Sequence, residues 1–215
     1  MRTVAVIARK GGSGKTTLAV HLALASYLRG RKTLLADIDP QRSSIAVLKG
    51  RVDPGPEWIE SAGPKLFALQ VASQRAEVDT IIIDTANGEE HELGHAIVLA
   101  DLSLLVVRPT FLDIAAAVRA SEIIHRLRKV GVIVVSQAPV TRQGIEPPAV
   151  RKALRALTLL GLEIAPAIVR YRSAYQWALD TGRSVEELTA EQPAAQEIKA
   201  LWTWLEQLPP RDRDR

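Results

Sequence analysis

Three glycines separate two lysines in the segment Lys10-Gly11-Gly12-Ser13-Gly14-Lys15-Thr16-Thr17. Glycine permits backbone conformations that aim successive N–H groups at one anion. A helix starting at Lys15 would add its positive dipole end to the same site. Lys15 would then reach the outer phosphates of a nucleotide, and the Thr16 hydroxyl would ligate Mg²⁺. The plainer alternative is a Gly-rich turn with lysines nearby. An apolar run before the segment and a helical period after it argue against that alternative.

Two further places end apolar runs in acids. The first reads Leu34-Leu35-Ala36-Asp37-Ile38-Asp39-Pro40-Gln41, and its two carboxylates, two residues apart, project to one side of a strand's end. They could orient water and complete a magnesium shell beside a phosphate, or serve as turn acids that stabilise the next helix. The second is Thr80-Ile81-Ile82-Ile83-Asp84-Thr85, where one acid closes a strand. Alone that pattern is common. After a phosphate loop it is the Walker B arrangement, with Asp84 holding Mg²⁺ directly or through water.

Positioning these groups requires strands that end at one edge. Apolar β-branched runs predict strands at 3–8, 33–37, 80–84, 102–107, 132–136 and 163–169. Helical periods predict helices at 15–29, 89–100, 114–130, 148–160 and 193–208. The alternation implies an α/β fold with a doubly wound, mainly parallel sheet flanked by helices. Ligands in such sheets bind outside the carboxyl ends of the strands, where every motif above falls. The Pro- and Gly-rich stretch 49–64 reads as an irregular connection. Residues 1–210 are expected to form one domain, with 211–215 as a disordered tail.

Composition narrows the function classes. The 215 residues include no cysteine, which excludes disulfides, thiolate metal sites, iron–sulfur clusters and cysteine nucleophiles. No apolar run approaches a bilayer span, and no signal sequence is evident, so a cytoplasmic protein is expected. Net charge is +4, yet 11 Lys and Arg stand against 4 Asp and Glu between Arg119 and Arg183. That bias either makes a phosphate-attracting face or solvates amphipathic helices.

The phosphate loop departs from the general pattern. Arg9 stands where a glycine is usual, and Lys10 precedes the paired glycines. In this the sequence resembles the ParA/MinD superfamily of deviant Walker A ATPases, and all eight loop positions fit. The likeness continues through Asp37-Ile38-Asp39-Pro40-Gln41, Asp84, Val106-Val107-Arg108-Pro109-Thr110 followed by Leu112-Asp113, Ser136-Gln137-Ala138-Pro139 and Ala174–Glu187, the last similar to small plasmid-type ParA proteins. It departs at Ala86-Asn87-Gly88-Glu89-Glu90, where the family usually has prolines or Pro-Gly.

The resemblance implies a P-loop NTPase fold, ATP and Mg²⁺ as cofactors, and weak ATP hydrolysis without a partner. It assigns Lys10 to the partner subunit's phosphates in an ATP-sandwich homodimer, Lys15 to the chain's own phosphates, and Asp39 to the attacking water. Asp37 takes a supporting hydrogen-bond or metal-shell role, and Gln137 and Pro139 lie near adenine. It further implies a nucleoid-associated protein that binds double-stranded DNA non-specifically, with a ParB-like or other cargo adaptor that stimulates hydrolysis. Arg151, Lys152, Arg155, Arg170 and Arg172 are the candidate DNA-phosphate contacts.

Two other readings stay open. A MinD-like membrane-cycling regulator would need a basic amphipathic C-terminal helix, yet residues 184–210 hold five Glu and one Lys. No stable membrane association is therefore expected. A P-loop metabolic synthetase would need a substrate-specific motif, and none is evident.

Overall fold

Residues of β1 (Arg2–Ile7) alternate between two cores: Val4 and Val6 pack with one cluster, Ala5 and Ile7 with the other. This period of two, with both sides apolar, is what a strand covered on both faces requires. The computed structural model describes residues 1–62, 65–87, 90–189 and 191–208. Its sheet has seven strands in the order β3-β2-β4-β1-β5-β6-β7, every pair parallel. The others are β2 (Thr33–Asp37), β3 (Glu57–Glu60), β4 (Thr80–Asp84), β5 (Leu102–Val107), β6 (Gly131–Val135) and β7 (Glu163–Ile164).

One face carries α1 (Lys15–Leu28), α2 (Ser43–Lys49), α7 (Ser173–Asp180), α8 (Val185–Leu188) and α9 (Pro193–Gln207). The other carries α3 (Leu66–Arg75), α4 (Glu90–Leu99), α5 (Phe111–Arg126) and α6 (Pro148–Leu157). This is a doubly wound α/β fold, an all-parallel sheet covered by helices on both faces. Helix α1 is buried almost all round from Leu18 to Ser26, because it lies between the sheet and α9. The apolar stripe of α9 (Ile198, Leu201, Trp202 and Leu205) is buried in that same core.

The structure corrects the expected elements in three places. The stretch 49–64 holds strand β3, and α2 and α3 flank it, although none was anticipated. All four β3 residues are exposed, so the strand lacks the alternation that marks a half-buried one. The strand expected at 163–169 is ordered as such only over Glu163–Ile164, since Pro166 has no N–H to give a ladder. Helix α5 begins three residues early because the Thr110 side chain caps it, accepting from the Asp113 N–H. Residues 209–215, which include the expected tail, lie outside the described residues, as do Gly63, Pro64, Gly88 and Glu89.

Candidate functional site

The central strand β1 feeds the phosphate loop, and its neighbours β4 and β5 bring the remaining groups alongside. Gly12 and Gly14 adopt φ of 73° and 95°, a region that favours glycine. At Gly14 a side chain is also excluded by space: a Cβ would lie 2.9 Å from the Ser136 hydroxyl. Helix α1 starts at Lys15, with Gly14 at its N-cap, so its unpaired N–H groups open onto the loop. The structure therefore builds the strand–loop–helix unit that the spacing predicts.

Lys15 is buried, and its ammonium donates to the Asn87 carbonyl oxygen just past β4. Burial lowers its pKa, while Asp84 and Asp39 act in the opposite direction. The β2–β4 register sets Asp37 beside Asp84. The two carboxylates nevertheless differ. Asp37 is satisfied from its own chain: it accepts from the Asp39 N–H at 3.0 Å, the Ser44 hydroxyl at 2.7 Å and the Ile45 N–H at 3.3 Å. It thereby ties the 38–45 turn to the strand end.

Asp84 has no such support. Among the described residues neither of its buried oxygens has a hydrogen-bond partner within normal distance, and burial together with Asp37 raises its pKa to about 7. Thr16, Ser44 and Lys15 pull the other way. An orphaned carboxylate beside a threonine hydroxyl and a phosphate loop fits a divalent cation, whose charge would satisfy it. Thr16 and Asp84 are the residues that would hold such a cation, with Asp37 behind them. Asp39 is half-exposed, and among the described residues its side chain accepts one hydrogen bond, from the Gln41 N–H to Oδ1 at 2.9 Å.

Beside Gly14 an open cleft is lined by Gly14, Thr17, Gln137, Tyr171, Tyr175 and Gln176. Gln137 is thus brought to the phosphate loop, at a φ of 49°. Pro139 is not among the lining residues. It borders a separate hollow with Val140, Ile145 and Pro147, and its carbonyl accepts from the Arg170 guanidinium at 2.9 Å.

The basic residues also separate. Arg151, Lys152 and Arg155 are exposed on α6, whose Val150, Ala153 and Leu157 face the core. Arg170 is buried and committed: its guanidinium pairs with Glu146 as well as Pro139. Arg172 is held by Glu197 at 2.8 Å. The structure does not bring these two arginines to the α6 surface, because internal carboxylates already engage them. Three polar contributors went unread in the sequence as well: Asn87, Ser44 and Ser136. Asn87 and Ser136 become site residues only when parallel crossovers bring distant strand ends together, and Ser44 only through the turn after β2.

Residues 4–190 match the family model of the CobQ/CobB/MinD/ParA nucleotide binding domain. The chain belongs to this family. Among ParA-family relatives it is similar to the maintenance of carboxysome distribution protein A of Halothiobacillus neapolitanus, 29% identical over 93% of this chain and 94% of that one. The protein of the same name from Gloeobacter kilaueensis is 32% identical over 87% of this chain and 94% of that one. The fold is also that of a Cyanothece McdA variant solved as its ATP complex, with a TM-score of 0.75, 18% identity and coverage of 96% of each chain. No helix among the described residues is long and apolar enough to cross a membrane.

Proposed function

We propose that this chain is a ParA-type ATPase that joins with a second copy around ATP and Mg²⁺, binds DNA non-specifically and positions a cargo. A partner protein would stimulate hydrolysis and release. The observation that carries this reading is the convergence of the Lys10–Thr17 loop with Asp39 and the orphaned Asp84 at the carboxyl end of one parallel sheet. Such a site holds a triphosphate by backbone N–H groups and Lys15, and leaves a carboxylate free to hydrogen-bond an attacking water. Mg²⁺, when bound, would neutralise charge on the outer phosphates.

Lys10 supports the dimeric form, since it precedes the glycines at a partly exposed position and the family resemblance sends it to the partner's phosphates. Phe111 and Leu112, 82% and 60% exposed three and four residues after Arg108, supply apolar area that a second copy would cover. The exposed row Arg151, Lys152 and Arg155 supports phosphate-directed DNA binding. The carboxysome-distribution relatives support spatial positioning of a large cargo. The burial of the α9 stripe disfavours its use as a membrane anchor.

The test is sizing of the Asp39→Ala variant, which should bind but not turn over ATP. It is expected to run as a dimer with ATP and as a monomer with ADP. Adding Lys10→Ala should restore the monomer. A dimer indifferent to nucleotide, or one undiminished by Lys10→Ala, would overturn the reading.

A further inference from the structure

The geometry points to Arg108 as a contact for the terminal phosphate of the nucleotide held at this loop. This rests on the nucleotide reading above and deepens it. Arg108 follows β5, the strand that pairs with β1 on the side opposite β4, so the sheet delivers its backbone beside the loop. Its Nη1 lies 3.6 Å from where a Cβ on Gly12 would stand. Glycine at that position leaves the approach open.

The guanidinium is held in place from behind. Nε donates to Asp113 Oδ1 at 2.9 Å and Nη2 to Asp113 Oδ2 at 3.2 Å. Asp113 is itself buried and is fixed by the Thr110 hydroxyl at 2.5 Å. Among the described residues Nη1 has no partner. Arg108 is thus a fork with two tines anchored and the remaining nitrogen beside a phosphate loop. Guanidinium planes match phosphate oxygens, and a side chain already immobilised loses little entropy on binding one.

The order of groups along the loop selects which phosphate. The cleft lined by Gln137, Tyr171 and Tyr175 abuts Gly14 and Thr17 and would take the base. At the other end, Asn87 approaches Gly11 to 3.2 Å of its Cβ position and also takes the Lys15 ammonium. A nucleotide laid from cleft to loop therefore ends at Gly11 and Gly12, under Arg108. ADP would stop short of it and ATP would not.

The experiment is equilibrium titration of the full chain, with Mg²⁺, by ADP and by a non-hydrolysable ATP analogue. Arg108→Gln should weaken the ATP analogue on the order of ten-fold. ADP affinity should hold within about two-fold, which also reports that the variant is folded. Arg108→Lys should recover part of the loss. Equal weakening of both nucleotides, or of neither, would overturn the assignment. So would full recovery in Arg108→Gln/Asp113→Asn, which would mean that the single variant acted only by stranding the Asp113 carboxylate. A wild-type chain that binds neither nucleotide, or a Lys15→Ala variant that binds both normally, would instead remove the nucleotide reading, and Arg108's ligand with it.

Discussion

Asp37, Asp39 and Asp84 crowd one corner of the sheet, and their different surroundings assign them different work. Asp84 is buried with neither oxygen bonded, so its charge opposes the empty fold. Asp84→Asn removes that charge at nearly constant shape. It should raise the melting temperature of the nucleotide-free protein near neutral pH and abolish the further rise that Mg²⁺ with nucleotide gives the wild type. A lower melting temperature in Asp84→Asn would mean that the carboxylate has a structural partner. Asp37 should behave in the opposite way. Its three donors hold the 38–45 turn, and Asp37→Ala strands them at a cost of about 1–3 kcal/mol. Asp39→Ala breaks one half-exposed contact, so stability should stay within about 0.5 kcal/mol while ATP turnover falls. Thermal melts paired with phosphate release separate the two.

Helix α6 is the element on which the DNA reading stands. Its Val150, Ala153 and Leu157 are buried while Arg151, Lys152 and Arg155 are exposed, so changing the three cations leaves the core untouched. Replacing all three by Gln should lower DNA affinity and reduce the slope of log K against log salt by up to about 3. Nucleotide affinity should not move, and an unchanged salt slope would place the DNA surface elsewhere. Elements of this kind were legible in the sequence because burial on one side imposes a period. The central strands were legible for a related reason, since double-sided burial makes them continuous apolar runs. Strand β3 was not, as Glu57, Trp58, Ile59 and Glu60 are all exposed and follow a Pro-rich connection. The phosphate loop was readable because its groups are contiguous. The partners of Lys15 and Asp37 were not, because Asn87 and Ser44 gain meaning only through the β1–β4 pairing and the turn after β2. Arg170 and Arg172 misled for the same reason, their carboxylate partners lying more than twenty residues away.

At the scale of the whole molecule, the phosphate-loop helix is joined to the last helix through a buried polar path. His21 in α1 holds the Thr17 carbonyl with Nδ1 at 2.8 Å, and its ring meets Tyr175 edge-on at 5.2 Å. The Tyr175 hydroxyl donates to Glu197 of α9 at 2.9 Å, and Glu197 also accepts from the Arg170 N–H and from Arg172. The Tyr175 wall of the cleft beside Gly14 is thus fixed from α9. His21 is fully buried, its Nε2 has no hydrogen-bond partner among the described residues, and burial pushes its pKa down to about 4. The folded state therefore resists a proton that the unfolded chain accepts near pH 6.5. The stability it contributes is present above about pH 6.5 and is lost as pH falls toward 4, reaching about 2 kcal/mol by pH 5. His21→Phe keeps an aromatic ring against Tyr175 and has nothing to protonate. Its melting temperature should fall less than that of the wild type between pH 7.5 and 5, before most carboxylates titrate. Parallel curves for the two proteins over that interval would show that the path is not proton-sensitive at His21.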